Sequence, residues 1–141
     1  MLNDSTVERI IRQTLAEPVS VCIAGTAAAT ATNYPPSCFI AKESCRVVQI
    51  SVVYGTAASG AGTLDVKKRP SGTAIGSSTS ILSSTVALNG TADTPVNATL
   101  NTTNAVLKAG DILGLVAATT TGLADVNVTI WVETLIPALR N

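Results

Sequence analysis

The sequence contains no histidine, which limits the chemistry that it can carry out. Histidine is the most common general base and a frequent metal ligand in enzymes. The lysines are not in a Ser-x-x-Lys arrangement, and the glycine-rich stretch SGAG (59–62) lacks the Gly-Lys-Thr ending of a phosphate-binding loop. We therefore expect a protein that is not an enzyme and that requires no cofactor.

Charged residues are also scarce, at 13% of the chain, with 9 basic against 9 acidic residues. Such a chain has no basic field that would attract nucleic acid or an anionic membrane. Two stretches, 18–41 and 70–92, contain no charge, but proline, asparagine and hydroxyl side chains interrupt both. Neither provides about 20 mostly apolar residues. We expect binding neither to nucleic acid nor to a membrane.

Metal-ligand patterns are absent as well. The three cysteines, Cys22, Cys38 and Cys45, have no zinc-like spacing. We expect them to be small buried apolar residues, and a Cys38–Cys45 or Cys22–Cys38 disulfide is the alternative. Four aspartates are candidates for calcium binding only if their loops converge, and turn carboxylates are the favoured interpretation. They are Asp65, Asp93, Asp111 and Asp125.

The N-terminal stretch MLNDSTVERIIRQTL has no apolar core of the signal-peptide type, so we expect synthesis in a cytoplasm. Residues 4–16 are predicted to form an amphipathic helix, started by a Ser5–Glu8 capping box and ended by Pro18. We divide the chain into this helical segment, 1–17, and a β domain, 18–141. The helix packs on its own domain or binds another protein. Its apolar stripe consists of Val7, Ile10, Ile11 and Leu15.

After Pro18 the apolar residues recur with a period of two, which is typical of strands buried on one face. The alternation places Val48, Ile50, Val52 and Tyr54 together on one face. About eight strands are predicted, which favours a β-sandwich or barrel. The clearest lie at 18–24, 45–54, 62–69, 80–88, 95–100, 112–118 and 126–136.

Three short features of this β region lead to specific expectations. Asn89-Gly90 is a hairpin signal between two predicted strands. Lys67-Lys68-Arg69 is expected to form an exposed strand end that discourages aggregation. In LKAGDILGL (107–115), Gly110 is predicted to take a positive φ and Asp111 to bond to the backbone of a tight turn.

Trp131 is the sole tryptophan and is one of only four aromatic residues. The alternation of the last strand places it on the side opposite Val128, Ile130 and Val132. It is therefore either covered by another part of the structure or an interface anchor, a role in which large aromatic residues are enriched. Together with the N-terminal stripe, it forms our set of candidate partner-binding residues.

The segments GTLDVKKRPSGTAIGSSTSILSSTVALNGTADTPVNATL, LKAGDILGLV and LADVNVTIWVE resemble a domain of the head decoration, or cement, proteins of tailed bacteriophages. The resemblance covers about residues 18–136 as a pattern of strands and turns. It implies a jelly-roll β-sandwich, assembled as a homotrimer, that binds the major capsid protein on the outer surface of the virion and stabilises the capsid. It carries over no functional residue.

Two other functions remain open from the residues. A receptor- or glycan-binding fibre or knob domain of a phage is the first alternative, and the scarcity of aromatic platforms for sugars counts against it. A soluble cytokine-like ligand is the second, and the lack of a signal peptide counts against that.

Overall fold

A computed structural model describes residues 3–6, 16–23 and 34–135 of the chain. Within these residues the protein forms ten β-strands, all of which pair in antiparallel fashion. The strands are β1 Ala16–Ile23, β2 Phe39–Ile40, β3 Cys45–Thr56, β4 Thr63–Arg69, β5 Thr79–Ser80, β6 Val86–Ala87, β7 Val96–Asn97, β8 Val106–Leu107, β9 Ile112–Ala118 and β10 Ala124–Thr134.

The strands form two five-stranded sheets. The first sheet has the order β1-β10-β3-β7, and β8 also pairs with β3. The second has the order β2-β9-β4-β5, and β6 also pairs with β4. The first strand thus pairs with the last and the second with the ninth, while β3 and β4 take their other partners from the middle of the chain. This is the jelly-roll arrangement, and it confirms the predicted all-β sandwich.

The alternating side chains of the two sheets form one core. On β3, Ile50, Val52 and Tyr54 are fully buried, and the register places them opposite Ile130, Val128 and Val126 of β10. The second sheet contributes a further set of buried side chains. Burial of each of the large ones is worth about 1.5–3 kcal/mol. This set includes Leu64, Val66, Leu113 and Leu115.

The predicted N-terminal helix, residues 4–16, differs from the structure at its start and at its end. Residues 4–6 are helical, but the cap is Asn3 rather than Ser5, because the Asn3 side-chain oxygen accepts the N–H of Thr6 at 2.8 Å. β1 begins at Ala16, so the predicted helix does not reach residue 16. Pro18 lies inside β1, where it is tolerated because β1 is at the edge of its sheet. Residues 7–15 lie outside the described residues.

The predicted strand at 80–88 and the hairpin at Asn89-Gly90 are wrong. β5 and β6 are two separate short pairings with β4, whereas β7 pairs with β3 in the other sheet. The chain therefore crosses between the sheets here and does not reverse. Neither Asn89 nor Gly90 has the positive φ of a two-residue hairpin turn. Instead, the Gly90 N–H donates to the hydroxyl of Tyr54 at 2.9 Å.

The turn between β8 and β9 is as predicted. Gly110 has a φ of +88°, and the Asp111 N–H donates to the Lys108 carbonyl at 3.0 Å. The Asp111 carboxylate also accepts the Lys108 N–H at 2.9 Å. Asp111 is therefore a turn residue that orders the entry into β9.

The basic triplet is not an exposed edge, because β4 lies between β9 and the β5 and β6 strands. Lys68 donates to the Val106 carbonyl at 2.7 Å, which connects the second sheet to β8 of the first. Arg69 is buried and donates to the Pro36 carbonyl and, at 2.7 Å, to the Ser37 hydroxyl. These cations satisfy backbone groups at one end of the sandwich.

Candidate binding surface

The structure describes one of the five candidate binding residues. Trp131 is half-buried on β10 and lies on the side of the first sheet that faces away from the core. The four residues of the apolar stripe, Val7, Ile10, Ile11 and Leu15, lie outside the described residues. Their role in binding therefore stays a prediction.

The strand register gives the neighbours of Trp131 across the sheet. Pro18 of β1 lies opposite it on one side, and Gln49 of β3 lies opposite it on the other. Pro18 and Gln49 are both exposed. Trp131 therefore lies between two exposed residues on the sheet surface that faces away from the core, which we call the outer face.

A β-bulge changes β3 beside the tryptophan. Trp131 pairs with Gln49, but the next residue, Val132, pairs with Val47, so Val48 has no partner across the sheet. The alternation predicted that Val48 would lie with Ile50 on the core side, and this is wrong. Val48 is 36% exposed, whereas Val47 is buried. The bulge turns the extra residue outwards and so preserves the inward alternation on both sides of it.

The outer face thereby gains a group of apolar side chains. Among the described residues, three large apolar side chains are exposed, and two of them, Val48 and Val106, are on this face. Val106 of β8 lies opposite Arg46 of β3. Arg46 precedes Val48 by two residues on the same strand. We call Val48, Val106 and Trp131 the apolar band. Neither valine was predicted to lie at a binding surface; the adjacent pair Val47-Val48, which breaks the alternation, is the signal that could have revealed the bulge.

The third exposed apolar residue is not part of this band. Ile40 is 66% exposed, and it lies on β2, at the edge of the second sheet. The band and Ile40 therefore belong to different sheets.

Two charged residues next to the band, Arg46 and Glu133, neutralise each other. Arg46 of β3 and Glu133 of β10 are cross-strand partners and form an ion pair at 2.5 Å. The Glu133 side chain is 9% exposed, compared with 40% for Arg46. A carboxylate this well buried is stable only when it is paired. The pair therefore neutralises these two charges of the outer face, and Lys68, bonded to the Val106 carbonyl, is a further cation beside the band.

The other half of the outer face is polar and uncharged. The Asn97 side-chain oxygen accepts the hydroxyl of Ser51 and, at 3.5 Å, the amide of Gln49. On β10 the hydroxyl of Thr129 donates to Asn127 at 2.9 Å. The first two bonds link β3 to β7, and the third joins two side chains along β10. This part of the outer face thus presents hydrogen-bonded hydroxyl and amide side chains.

The cysteines form no disulfide in the described part of the chain, where Cys38 and Cys45 are free thiols. Burial raises the pKa of the Cys38 thiol to about 11, and the thiol donates weakly to the Leu113 carbonyl at 3.4 Å. Burial also raises the pKa of Cys45. Protonated thiols at these positions act as packing groups, which agrees with the favoured interpretation for these two residues. The Cys22 side chain is not among those that the structure describes.

Among the residues described here, no three or more cysteine or acidic side chains come together in a way that could hold a metal ion. Asp65 accepts the hydroxyl of Ser80 at 2.6 Å, and Asp111 belongs to the turn already described. Within 3–6, 16–23 and 34–135, no helix has the length and apolar character needed to cross a membrane.

Comparison with known proteins adds no relationship: the sequence matches no protein-family model, and no curated protein matches it significantly.

Proposed function

We propose that this chain is a non-enzymatic structural protein that binds the outer surface of a tailed-phage capsid and stabilises it. The observation that carries the proposal is the apolar band on the outer face, next to the Arg46–Glu133 ion pair. Tryptophan, tyrosine and arginine are the residue types most enriched at the energetic centres of protein interfaces, and lysine, glutamate and aspartate are depleted there. A band of this kind fits a protein surface better than an ionic ligand.

The partner in this proposal is the major capsid protein, and the binding unit is a homotrimer. Three copies of a modest contact, held on one assembly, bind far more tightly than one copy does. The N-terminal stripe of Val7, Ile10, Ile11 and Leu15 is proposed as a second contact, either with a neighbouring subunit or with the capsid. The finished protein would then be located on the virion after synthesis in the host cytoplasm.

Co-sedimentation with DNA-free expanded heads of the phage that encodes the chain tests the proposal. The wild-type chain should pellet with the heads, and Trp131→Ala should weaken this binding by about 30-fold. Ile40→Ala, on the other sheet, is the matched control and should bind like the wild type. Thermal unfolding of both variants separates lost binding from lost folding. A wild-type chain that stays in the supernatant at every concentration would refute the proposal.

A second measurement addresses the assembly state. Sedimentation equilibrium of the free chain at several concentrations should give the mass of a trimer. A monomer at all concentrations would contradict a preformed homotrimer and would restrict assembly to the capsid surface.

One observation favours a glycan-binding domain as the second candidate. Gln49 lies opposite the sole tryptophan and donates to Ser51 and Asn97, and an amide next to an aromatic side chain suits sugar hydroxyls and ring faces. Saturable quenching of Trp131 fluorescence by host surface polysaccharide, lost in Asn97→Ala, would favour this candidate over capsid binding.

A further inference from the structure

The β-bulge on β3 lies where the neighbouring strand is interrupted. Residues Ser51 and Val52 pair with β7, and Cys45 and Arg46 pair with β8, so the extra residue Val48 lies between the two pairings. Next to the bulge, the Ala98 N–H donates to Ile50 and the Val47 N–H donates to Ala105, both at 2.9 Å. The chain between these two bonds leaves the sheet, since Asn101 donates to Ile81 of the other side. Val48 therefore lies on a part of β3 that pairs with neither β7 nor β8.

We propose that this bulge is a specificity device: it places Val48 outwards beside Trp131 so that the band receives an aliphatic, uncharged segment of the capsid protein. The inference rests on the proposed function and deepens it, because it assigns the contact to one residue and states the chemistry of the partner.

The number of residues in β3 supports a role for Val48 beyond folding. Without Val48, the strand from Cys45 to Tyr54 would alternate regularly, with Cys45, Val47, Ile50, Val52 and Tyr54 inwards. The core therefore needs no residue at this position. The extra residue adds only an exposed apolar side chain and a locally stronger twist, and bulges commonly redirect a side chain in this way at binding sites.

The charges determine the chemistry of the partner. Arg46 is already bonded to Glu133 and Lys68 to the Val106 carbonyl, so a partner carboxylate would have to compete with the bonds that both cations make. A partner lysine would meet a carboxylate that is already paired. An aliphatic segment without charge gains from burial against Val48, Val106 and Trp131 and disturbs no ion pair. We therefore assign a neutral aliphatic segment of the capsid protein as the occupant.

Binding of three variants to DNA-free expanded heads tests the inference. Val48→Thr keeps the shape of the side chain and adds a hydroxyl, and it should weaken binding by about 10-fold. Val53→Thr is the matched control, because Val53 is half-buried on the same face of the same strand, opposite Asn127 and away from the band. It should bind like the wild type. Deletion of Val48, which removes the bulge, should weaken binding at least as much as Val48→Thr.

The outcomes are distinguishable. Wild-type affinity in Val48→Thr would overturn the inference and leave the proposed function standing. Equal weakening in Val48→Thr and Val53→Thr would also overturn it, because the whole face and not the bulge would then be responsible. Failure of the wild-type chain to bind would refute the proposed function itself. Should the deletion variant not fold, as judged by its thermal transition, Val48→Thr still decides between these results.

Discussion

Gly114 lies directly beneath the carbonyl group of Pro36: a Cβ on Gly114 would overlap the Pro36 carbonyl oxygen. Pro36 belongs to the segment before β2, which is bonded to β9 through the Leu115 N–H and the Pro35 carbonyl at 2.9 Å. The absence of a side chain at 114 thus allows this segment to cover the second sheet.

Substitution of this glycine should therefore be costly. We expect Gly114→Ala to lower the free energy of unfolding by about 2–3 kcal/mol, because the backbone of Pro36 must move away from β9. Urea denaturation measures the change. Gly76→Ala is the control, since a Cβ at Gly76 meets no atom within 4 Å. Similar losses in the two variants would contradict the close approach at Gly114.

The Arg69 side chain should stabilise the same segment. Its guanidinium group donates to the Pro36 carbonyl and to the Ser37 hydroxyl and is itself buried. Arg69→Met removes both bonds, and we expect a loss of about 1.5–3 kcal/mol in the free energy of unfolding. Lys67→Met, on the same strand and half-buried, should change it by no more than about 0.5 kcal/mol. An Arg69 variant as stable as the Lys67 variant would refute this role.

The two tyrosine hydroxyls predict opposite effects of the same substitution. The hydroxyl of fully buried Tyr54 accepts the Gly90 N–H at 2.9 Å, so Tyr54→Phe should cost about 1–2 kcal/mol. The hydroxyl of Tyr34 is buried and has no hydrogen-bond partner among the described residues. Tyr34→Phe should therefore be neutral or stabilising, because it removes a polar atom that is poorly solvated. Denaturant midpoints of the two variants, compared with the wild type, test the contrast.

The buried Cys38 thiol predicts a loss of stability at alkaline pH. Its pKa is raised from the ordinary value of 9.0 to about 11 by burial, so the folded state favours the protonated form. The stabilisation is fully present below pH 9, and it is lost as the pH rises from about 9 to 11, where the unfolded chain releases this proton first.

We expect the free energy of unfolding to fall less steeply over this interval in Cys38→Ala than in the wild type. Urea denaturation at pH 8 and at half-unit steps to pH 10.5 gives both slopes, and a reducing agent keeps the thiols free. Parallel slopes for the two proteins would show that the thiol does not titrate as its burial requires.

The long strands of the sandwich were predictable, and the short ones were not. β3, β4, β9 and β10 have seven or more residues, so the period-two pattern repeats often enough to be clear. β2, β5, β6, β7 and β8 have two residues each, too few to show any period. The Asn89-Gly90 error has a different cause. The local turn signal was overridden by Tyr54, distant in sequence, whose hydroxyl binds the Gly90 N–H.

For the binding surface, the side of the sheet on which Trp131 lies followed from alternation alone. Its neighbours did not, because a register cannot be deduced from one strand. Val106 comes next to β3 only through the pairing of a two-residue strand, and Val48 faces outwards only because of the bulge. The alternation predicted for β10 was correct because the extra residue of the bulge is not on β10. It is on β3, where Val48 interrupts the alternation.

The place of β10 in the first sheet has a consequence for how the protein acquires its fold. β10 is the last strand of the described residues, yet it lies between β1 and β3 and pairs with both of them. During synthesis on the ribosome, β1 therefore has to wait unpaired until more than a hundred later residues have emerged. Such distant pairings make folding slow, in the range of about milliseconds to seconds, and leave apolar strands exposed to chaperones meanwhile. The first sheet is therefore completed by the last of its described strands, which lies between β1 and β3.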